Sequence, residues 1–187
     1  RDSKDQKQAK ENKNIVNIIS ISRLEKRKGY LYVLKSLDFL LKQNILNDFK
    51  WLIFGEGPIK NKLASEIKKL NLSKHVLLLG NIIDDKKLEV LKNADLFVMP
   101  SLRVNNSIEG FGISYIEAAK YGVPSITGVE GGIVDAVKNN KTGWNVDPLN
   151  SELLQSTLAL AINNNKKREE YGLNAKENFL KNFYGDK

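Results

Sequence analysis

Short apolar runs alternate with longer amphipathic stretches along almost the whole chain, and this alternation constrains the fold more than any other feature. Asn14–Ser22 (NIVNIISIS) is a short apolar run suited to a buried parallel strand. A charged stretch, RLEKRKG, follows, and then Tyr30 to Gln43 reads as an amphipathic helix with Leu31, Leu34, Leu37, Leu40 and Leu41 at helical spacing. Phe49–Phe54 is a second strand, ended by Gly55-Glu56-Gly57-Pro58, and Ile59 to Leu70 a second helix. Val76–Leu79 is a third strand closed by Gly80. It is followed by a loop through Asn81, Ile82 and Ile83 and a helix from Asp84 to Lys92 whose acidic pair reads as its cap. The strand Leu96–Met99 ends at Pro100, and a helical run from Ile113 to Tyr121 is stopped by Gly122 and Pro124. The strand Pro124–Thr127, a short helix Ile133 to Lys138 after Gly131-Gly132, and a strand Trp144–Val146 come next. Asn150 or Ser151 caps a helix running to Ile162, and Lys166–Phe183 is a charge-rich terminal helix. Strands alternating with helices at this spacing imply an α/β fold, an open parallel sheet with helices on both faces. Ligands of such sheets bind at the carboxyl ends of the strands, where strand order reverses.

Length limits the organisation. At 187 residues and 41% hydrophobic content the chain can bury one substantial core but is short for two full domains. Residues 1–13, RDSKDQKQAKENK, lack apolar periodicity and read as a polar tail or linker remnant, leaving 14–187 as one domain. The chain has no cysteine, which excludes a disulfide framework, a thiolate metal site and a cysteine nucleophile. No apolar stretch approaches the roughly 18 residues of a membrane span, and the N-terminus is not signal-like, so the domain reads as soluble and cytoplasmic. The net charge of +8 is spread over helices and loops among aspartates and glutamates. Scattered lysines favour solvated faces over membrane-surface attraction, and both over nucleic-acid binding.

The richest stretch chemically is Glu109 to Thr127, EGFGISYIEAAKYGVPSIT. Gly110 and Gly112 flank Phe111 at a helix entrance, where a ligand can approach the backbone and free N–H groups attract an anion. Glu109 lies in the entry loop and Glu117 inside the helix, so both could line its mouth. Two carboxylates beside an anion site suit a ligand with both phosphate and sugar hydroxyls. Upstream, Arg23 and Lys28 flank the loop after the first strand. They are either an ordinary basic loop or a diphosphate clamp, with Arg a planar fork and Lys a point charge. Lys87 is either a solvated helix lysine or a nucleotide contact. His75, the only histidine, precedes a buried strand and reads as structural.

The Glu-x7-Glu spacing of Glu109 and Glu117 around Gly-Phe-Gly, with Arg23 and Lys28-Gly29 upstream, resembles the signature of the group 1 glycosyltransferases. These are the retaining family 4 enzymes of the two-domain GT-B fold, and the resemblance runs from Ile15 to Phe183. It implies a Rossmann-like domain, the C-terminal, donor-binding half of such an enzyme. By that resemblance Arg23 and Lys28 neutralise the donor diphosphate, and Glu109 lies near the donor sugar hydroxyls. Gly110, Phe111 and Gly112 then present backbone N–H groups to sugar and phosphate. Ile113 is the apolar position beside ribose or phosphate, and Glu117 takes the ribose hydroxyls. Gly55, in the Gly-x-Gly-Pro turn, lies near the nucleoside, Asn81 and Ile82 contact the base, and Lys87 approaches the nucleotide. Catalysis on this pattern falls to Arg23, Lys28 and Glu109.

The implied reaction is retaining transfer of a sugar from a nucleoside diphosphate sugar, a UDP-sugar foremost, to an acceptor hydroxyl. No metal or other cofactor is implied. The acceptor, a saccharide or lipid-linked saccharide of bacterial polysaccharide or glycan synthesis, would bind a separate N-terminal domain. The full-length enzyme could then sit at the inner face of the cytoplasmic membrane, and this chain alone would be inactive. Departures from the pattern are Ser22 where glycine is frequent and Asp135 where glutamate is usual; the variable stretch Ser101 to Ile108 contains Arg103, which could reach the donor sugar. Two other classes remain open on sequence, a nucleotide-binding or interaction module without catalysis and a GT-B nucleotide-sugar epimerase.

Overall fold

The computed structural model describes residues 15–103, 113–131 and 136–184. The strands are β1 (Val16–Ile21), β2 (Phe49–Phe54), β3 (Val76–Leu78), β4 (Leu96–Met99), β5 (Ser125–Thr127) and β6 (Gly143–Asn145). The helices among the described residues are α1 (Tyr30–Lys42), α2 (Lys60–Lys69), α3 (Asp84–Lys92), α4 (Ile113–Lys120), α5 (Ser151–Asn163) and α6 (Asn165–Tyr184). A 3-10 turn, Lys26–Lys28, interrupts the loop between β1 and α1. The strands form one six-stranded sheet in the order β3-β2-β1-β4-β5-β6, parallel throughout. This is the expected Rossmann-like architecture, with the strand order reversing between β1 and β4.

Right-handed crossovers that run one way from β1 to β3 and the other way from β3 to β6 put the helices of the two runs on opposite faces of the sheet. On one face α1 packs against α2 and α5; on the other α4 packs against α6. Cover on both sides explains why β4 is buried along its whole length and reads as an unbroken apolar run. Edge strand β3 leaves Leu77 exposed. At the centre, Trp51 meets Tyr30 edge-on at 5.8 Å, and its indole Nε1 donates to Ser20 Oγ at 2.8 Å. Ser20 Oγ in turn donates to the carbonyl of Val98, so a buried polar chain crosses β2, β1 and β4. Tyr115 of α4 packs edge-on against Phe97 at 5.9 Å and donates its hydroxyl to the Met99 carbonyl, fixing that helix on the end of β4.

Helix ends follow local chemistry, with one correction. Asn150 caps α5, its side chain accepting from Leu153 N at 3.2 Å. Asp84 and Asp85 do not cap α3. Ile83 is its N-cap, and the two aspartates lie in the first turn, where they complement the helix dipole without bonding its end. Gly122 ends α4 with φ +70°, Val123 N bonding Ala118 O at 3.0 Å and Gly122 N bonding Ala119 O at 2.9 Å. That pairing is a Schellman motif, the stop expected of this glycine. Strand β6 starts at Gly143, one residue before the apolar run that signals it, and α6 starts at Asn165. Half of the helix expected over Ile133 to Lys138 (residues 133–135), and the tail 1–13, lie outside the described residues.

Candidate functional site

The carboxyl edge of a parallel sheet collects the loops that follow the strands, and at this reversal point those loops are stitched together by backbone groups. Leu24 N donates to Glu56 O at 2.9 Å, Ile59 N to Leu24 O at 3.2 Å and Gly55 N to Gly80 O at 2.8 Å, so the loops after β1, β2 and β3 form one hydrogen-bonded unit. Across the reversal, Leu102 N donates to Arg27 O at 2.8 Å and ties the loop after β4 to the loop after β1. Gly55 makes this packing possible. Its φ is +142°, and a Cβ placed on it would lie 1.8 Å from Ser22 O. No side chain fits there.

The charged groups sit on this frame. Arg23 is exposed and pairs through Nε with Glu25 Oε1 at 3.1 Å; Glu25 Oε2 also accepts from Arg27 Nε at 3.0 Å. Lys28 closes the 3-10 turn and is buried, only 6% exposed. Ser22 Oγ lies 2.6 Å from the Tyr30 hydroxyl, so the serine that replaces the more usual glycine is held against α1. Ser114 Oγ donates to Ile21 O at 3.3 Å, which puts the first turn of α4 over the carboxyl end of β1. Ile113 beside it is exposed. One turn on, Glu117 Oε2 is 2.6 Å from Lys87 Nζ of α3, and both side chains are half-buried.

The structure therefore brings Arg23, Lys28, Gly55, Lys87, Ile113 and Glu117 to one edge. Asn81 is exposed and Ile82 half-buried in the segment after β3. Glu109, Gly110, Phe111 and Gly112 lie outside the described residues, as does Asp135. Arg103 pairs with Glu130 of the loop after β5, Nε to Oε2 at 3.1 Å, and so spans the loops after β4 and β5. His75 is at the other edge. It precedes β3, stacks on Phe49 with ring centres 4.7 Å apart, and its Nδ1 lies 3.2 Å from Phe49 O. Sequence reasoning missed Glu25, Ser114 and Glu130. Ser114 and Glu130 are lone polar residues whose partners are set by the fold; Glu25 pairs with neighbours two residues away in a charge-rich loop, where nothing in the spacing singles it out.

Chemically the edge offers cations already engaged with carboxylates, so an entering anion must compete for them. Surface pairs such as Arg23–Glu25 are worth about 0–1 kcal/mol. Arg23, its side chain 65% exposed, can therefore leave Glu25 for another anion at little cost. The carboxylate of Glu117 accepts hydrogen bonds only, which suits hydroxyl groups.

The family model described as Glycosyl transferases group 1 matches residues 1–178. The putative colanic acid biosynthesis glycosyltransferase WcaL of Escherichia coli is 28% identical over 145 residues, covering 77% of this chain and 35% of its own length. A GDP-mannose-dependent α-(1-6)-phosphatidylinositol monomannoside mannosyltransferase of Mycobacterium tuberculosis is 31% identical over 132 residues, 70% of this chain and 34% of its own. The chain thus spans about a third of these curated relatives. Among solved structures, S. aureus TarM crystallised with fondaparinux, α-GlcNAc-glycerol and UDP superposes with a TM-score of 0.78 and 27% identity, covering 89% of this chain and 32% of that one. The C-terminal domain of the group 1 protein LpcC from Francisella tularensis has a TM-score of 0.74 at 21% identity, with 98% and 94% covered; that likeness concerns the fold.

Proposed function

The chain belongs to the group 1 glycosyl transferases, and from that premise we propose that it is the donor-binding domain of a retaining glycosyltransferase. The enzyme would transfer a sugar from a nucleoside diphosphate sugar, UDP-sugar foremost, to an acceptor hydroxyl in bacterial polysaccharide or glycan synthesis. The observation that carries this reading is the convergence of Arg23, Lys28, Gly55, Lys87 and Glu117 on the carboxyl edge at the strand-order reversal. The UDP in the TarM crystal, and relatives named for polysaccharide and glycolipid synthesis, support it.

In this reading Arg23 and Lys28 hold the diphosphate and stabilise the charge that grows on it as the bond from the sugar C1 to the phosphate oxygen breaks. The acceptor oxygen bonds C1 on the face the diphosphate leaves, and the acceptor proton passes to the departing phosphate. Glu117 accepts from the ribose hydroxyls, Ile113 packs beside them, and Asn81 and Ile82 meet the base. Glu109 serves the donor sugar hydroxyls, with the N–H groups of Gly110, Phe111 and Gly112 on sugar and phosphate. The acceptor binds a second domain, the chain alone does not turn over, and the scheme uses no resident cofactor. Among the described residues no helix is long and apolar enough to cross a membrane. Peripheral attachment of the whole enzyme is part of the proposal.

Calorimetric titration with UDP, GDP and ADP tests the site. One diphosphate should bind selectively, and Arg23→Ala and Glu117→Ala should each weaken it about tenfold or more, the loss of one charge-assisted bond. Failure of all three to bind, or binding that neither substitution alters, refutes this placement of the donor.

A further inference from the structure

We propose that Lys87 is a positioning residue, acting on the nucleotide through Glu117. The inference rests on the donor-site reading and deepens it.

Lys87 belongs to the first turn of α3, which starts at the carboxyl end of β3; Glu117 belongs to α4, which starts beyond the carboxyl end of β4. The two helices come from strands on opposite sides of β1, and their side chains meet at 2.6 Å. Neither helix needs the pair for itself. A lysine in the first turn of a helix opposes the helix dipole, unlike Asp84 and Asp85 beside it, and its placement there calls for a partner from outside the helix. With side chains 25% and 35% exposed, the pair also adds little to stability. Its effect is local: it fixes where the Glu117 carboxylate points.

The contact uses one carboxylate oxygen. Lys87 Nζ takes Oε2, and among the described residues Oε1 has no partner. An ionised carboxylate only accepts, so Oε1 is set to receive hydroxyl protons. The ammonium matters in a second way. A carboxylate near a nucleoside diphosphate is repelled by it, and a cation bonded directly to that carboxylate removes most of the repulsion. Lys87 thus lets an acceptor for ribose hydroxyls sit close to a polyanion, and holds it in one rotamer.

The test uses whichever of UDP, GDP and ADP the wild type binds, together with its 2′-deoxy counterpart. The wild type should prefer the ribose form, and Glu117→Ala should erase that preference. Lys87→Met should weaken the ribose form about tenfold more than the deoxy form, which loses only the masking of the Glu117 charge. Lys87→Arg, which keeps a cation within reach of Glu117, should restore the preference. Melting temperature should stay within about 3 °C in every Lys87 variant, as befits a half-exposed pair.

Equal losses for both nucleotides would make Lys87 a direct phosphate ligand and overturn the inference, as would unchanged or tighter binding by Lys87→Met. A larger fall in melting temperature would assign the pair a structural role and overturn it too. A wild type that binds but shows no ribose preference would instead refute the role given to Glu117, leaving the diphosphate contacts standing.

Discussion

Replacing Gly55 by alanine tests whether the site's loops are held by close backbone contact. Two costs add. At φ +142° an alanine is in a region that L residues avoid, which costs about 1–3 kcal/mol. The new Cβ would also lie 1.8 Å from Ser22 O, well inside van der Waals contact, so the loops after β1 and β2 must part by more than an ångström. That movement strains Ser22 N to Phe54 O (3.1 Å) and Gly55 N to Gly80 O (2.8 Å), each worth about 1 kcal/mol net. The sum is about 3–5 kcal/mol, a large part of the 5–15 kcal/mol typical of a domain. Gly122→Ala is the control. Its φ is also positive, but the nearest atom to an added Cβ is Gly172 O at 3.6 Å, so only the backbone cost of about 1–2 kcal/mol applies. Urea unfolding followed by circular dichroism measures both. Gly55→Ala should lose about 1–4 kcal/mol more than Gly122→Ala by these sums. Equal losses would refute the argument that close approach, and not φ alone, demands glycine at position 55.

The buried chain from Trp51 through Ser20 to Val98 gives a second prediction. Ser20→Ala leaves the Trp51 Nε1 donor buried without its partner and should cost about 1–3 kcal/mol, and in thermal unfolding Trp51→Phe should remove most of that penalty. Arg168 gives a third. Burial lowers its pKa, an effect opposed by Asp95 and Glu169, and its Nη1 donates to Ala161 O at 2.8 Å and Ile162 O at 2.6 Å at the end of α5. Arg168→Leu should cost about 2–3 kcal/mol by stripping those carbonyls of a charged donor; a loss under about 0.5 kcal/mol would show that water replaces it.

Fold class was legible because hydrophobic periodicity encodes it directly. The run at Leu96–Met99 is apolar throughout and that at Val16–Ile21 mostly so because helices cover both faces of the sheet, and the glycines at 55, 80 and 122 mark loop entrances and a helix stop. Strand order was not legible. The reversal between β1 and β4 arises from contacts far apart in sequence, such as Ile18 beside Leu96, and no local pattern records it. Among the site residues, Arg23, Lys28, Lys87 and Glu117 stood out through motif and type. Their pairings did not: Glu117 meets Lys87 across two helices whose separation in space is a tertiary fact. The aspartates at 84 and 85 were misread as a cap because capping and first-turn acids look alike in sequence. The base contact is hidden for a similar reason, since recognition through backbone groups leaves no trace in residue type.

On the proposed reading, the first loop must change partners when a diphosphate enters, and the geometry says which group moves. Glu25 holds two arginines, Arg23 at 3.1 Å and Arg27 at 3.0 Å. Arg23 is the freer of them, its side chain 65% exposed against 22% for Arg27. Breaking the Arg23 contact costs at most about 1 kcal/mol, and Arg27 stays to balance the glutamate left behind. Arg23 can then present its planar fork to a phosphate without stranding a carboxylate. Moving Arg27 would be more costly, because its side chain is much the more buried of the two and would leave its packing. Lys28, buried at the end of the same turn, has no comparable freedom and serves as a fixed charge. One mobile fork beside one fixed point charge, with Glu25 and Arg27 as the anchor, lets the loop take up an anion and release it while the hydrogen-bonded frame beneath stays in place.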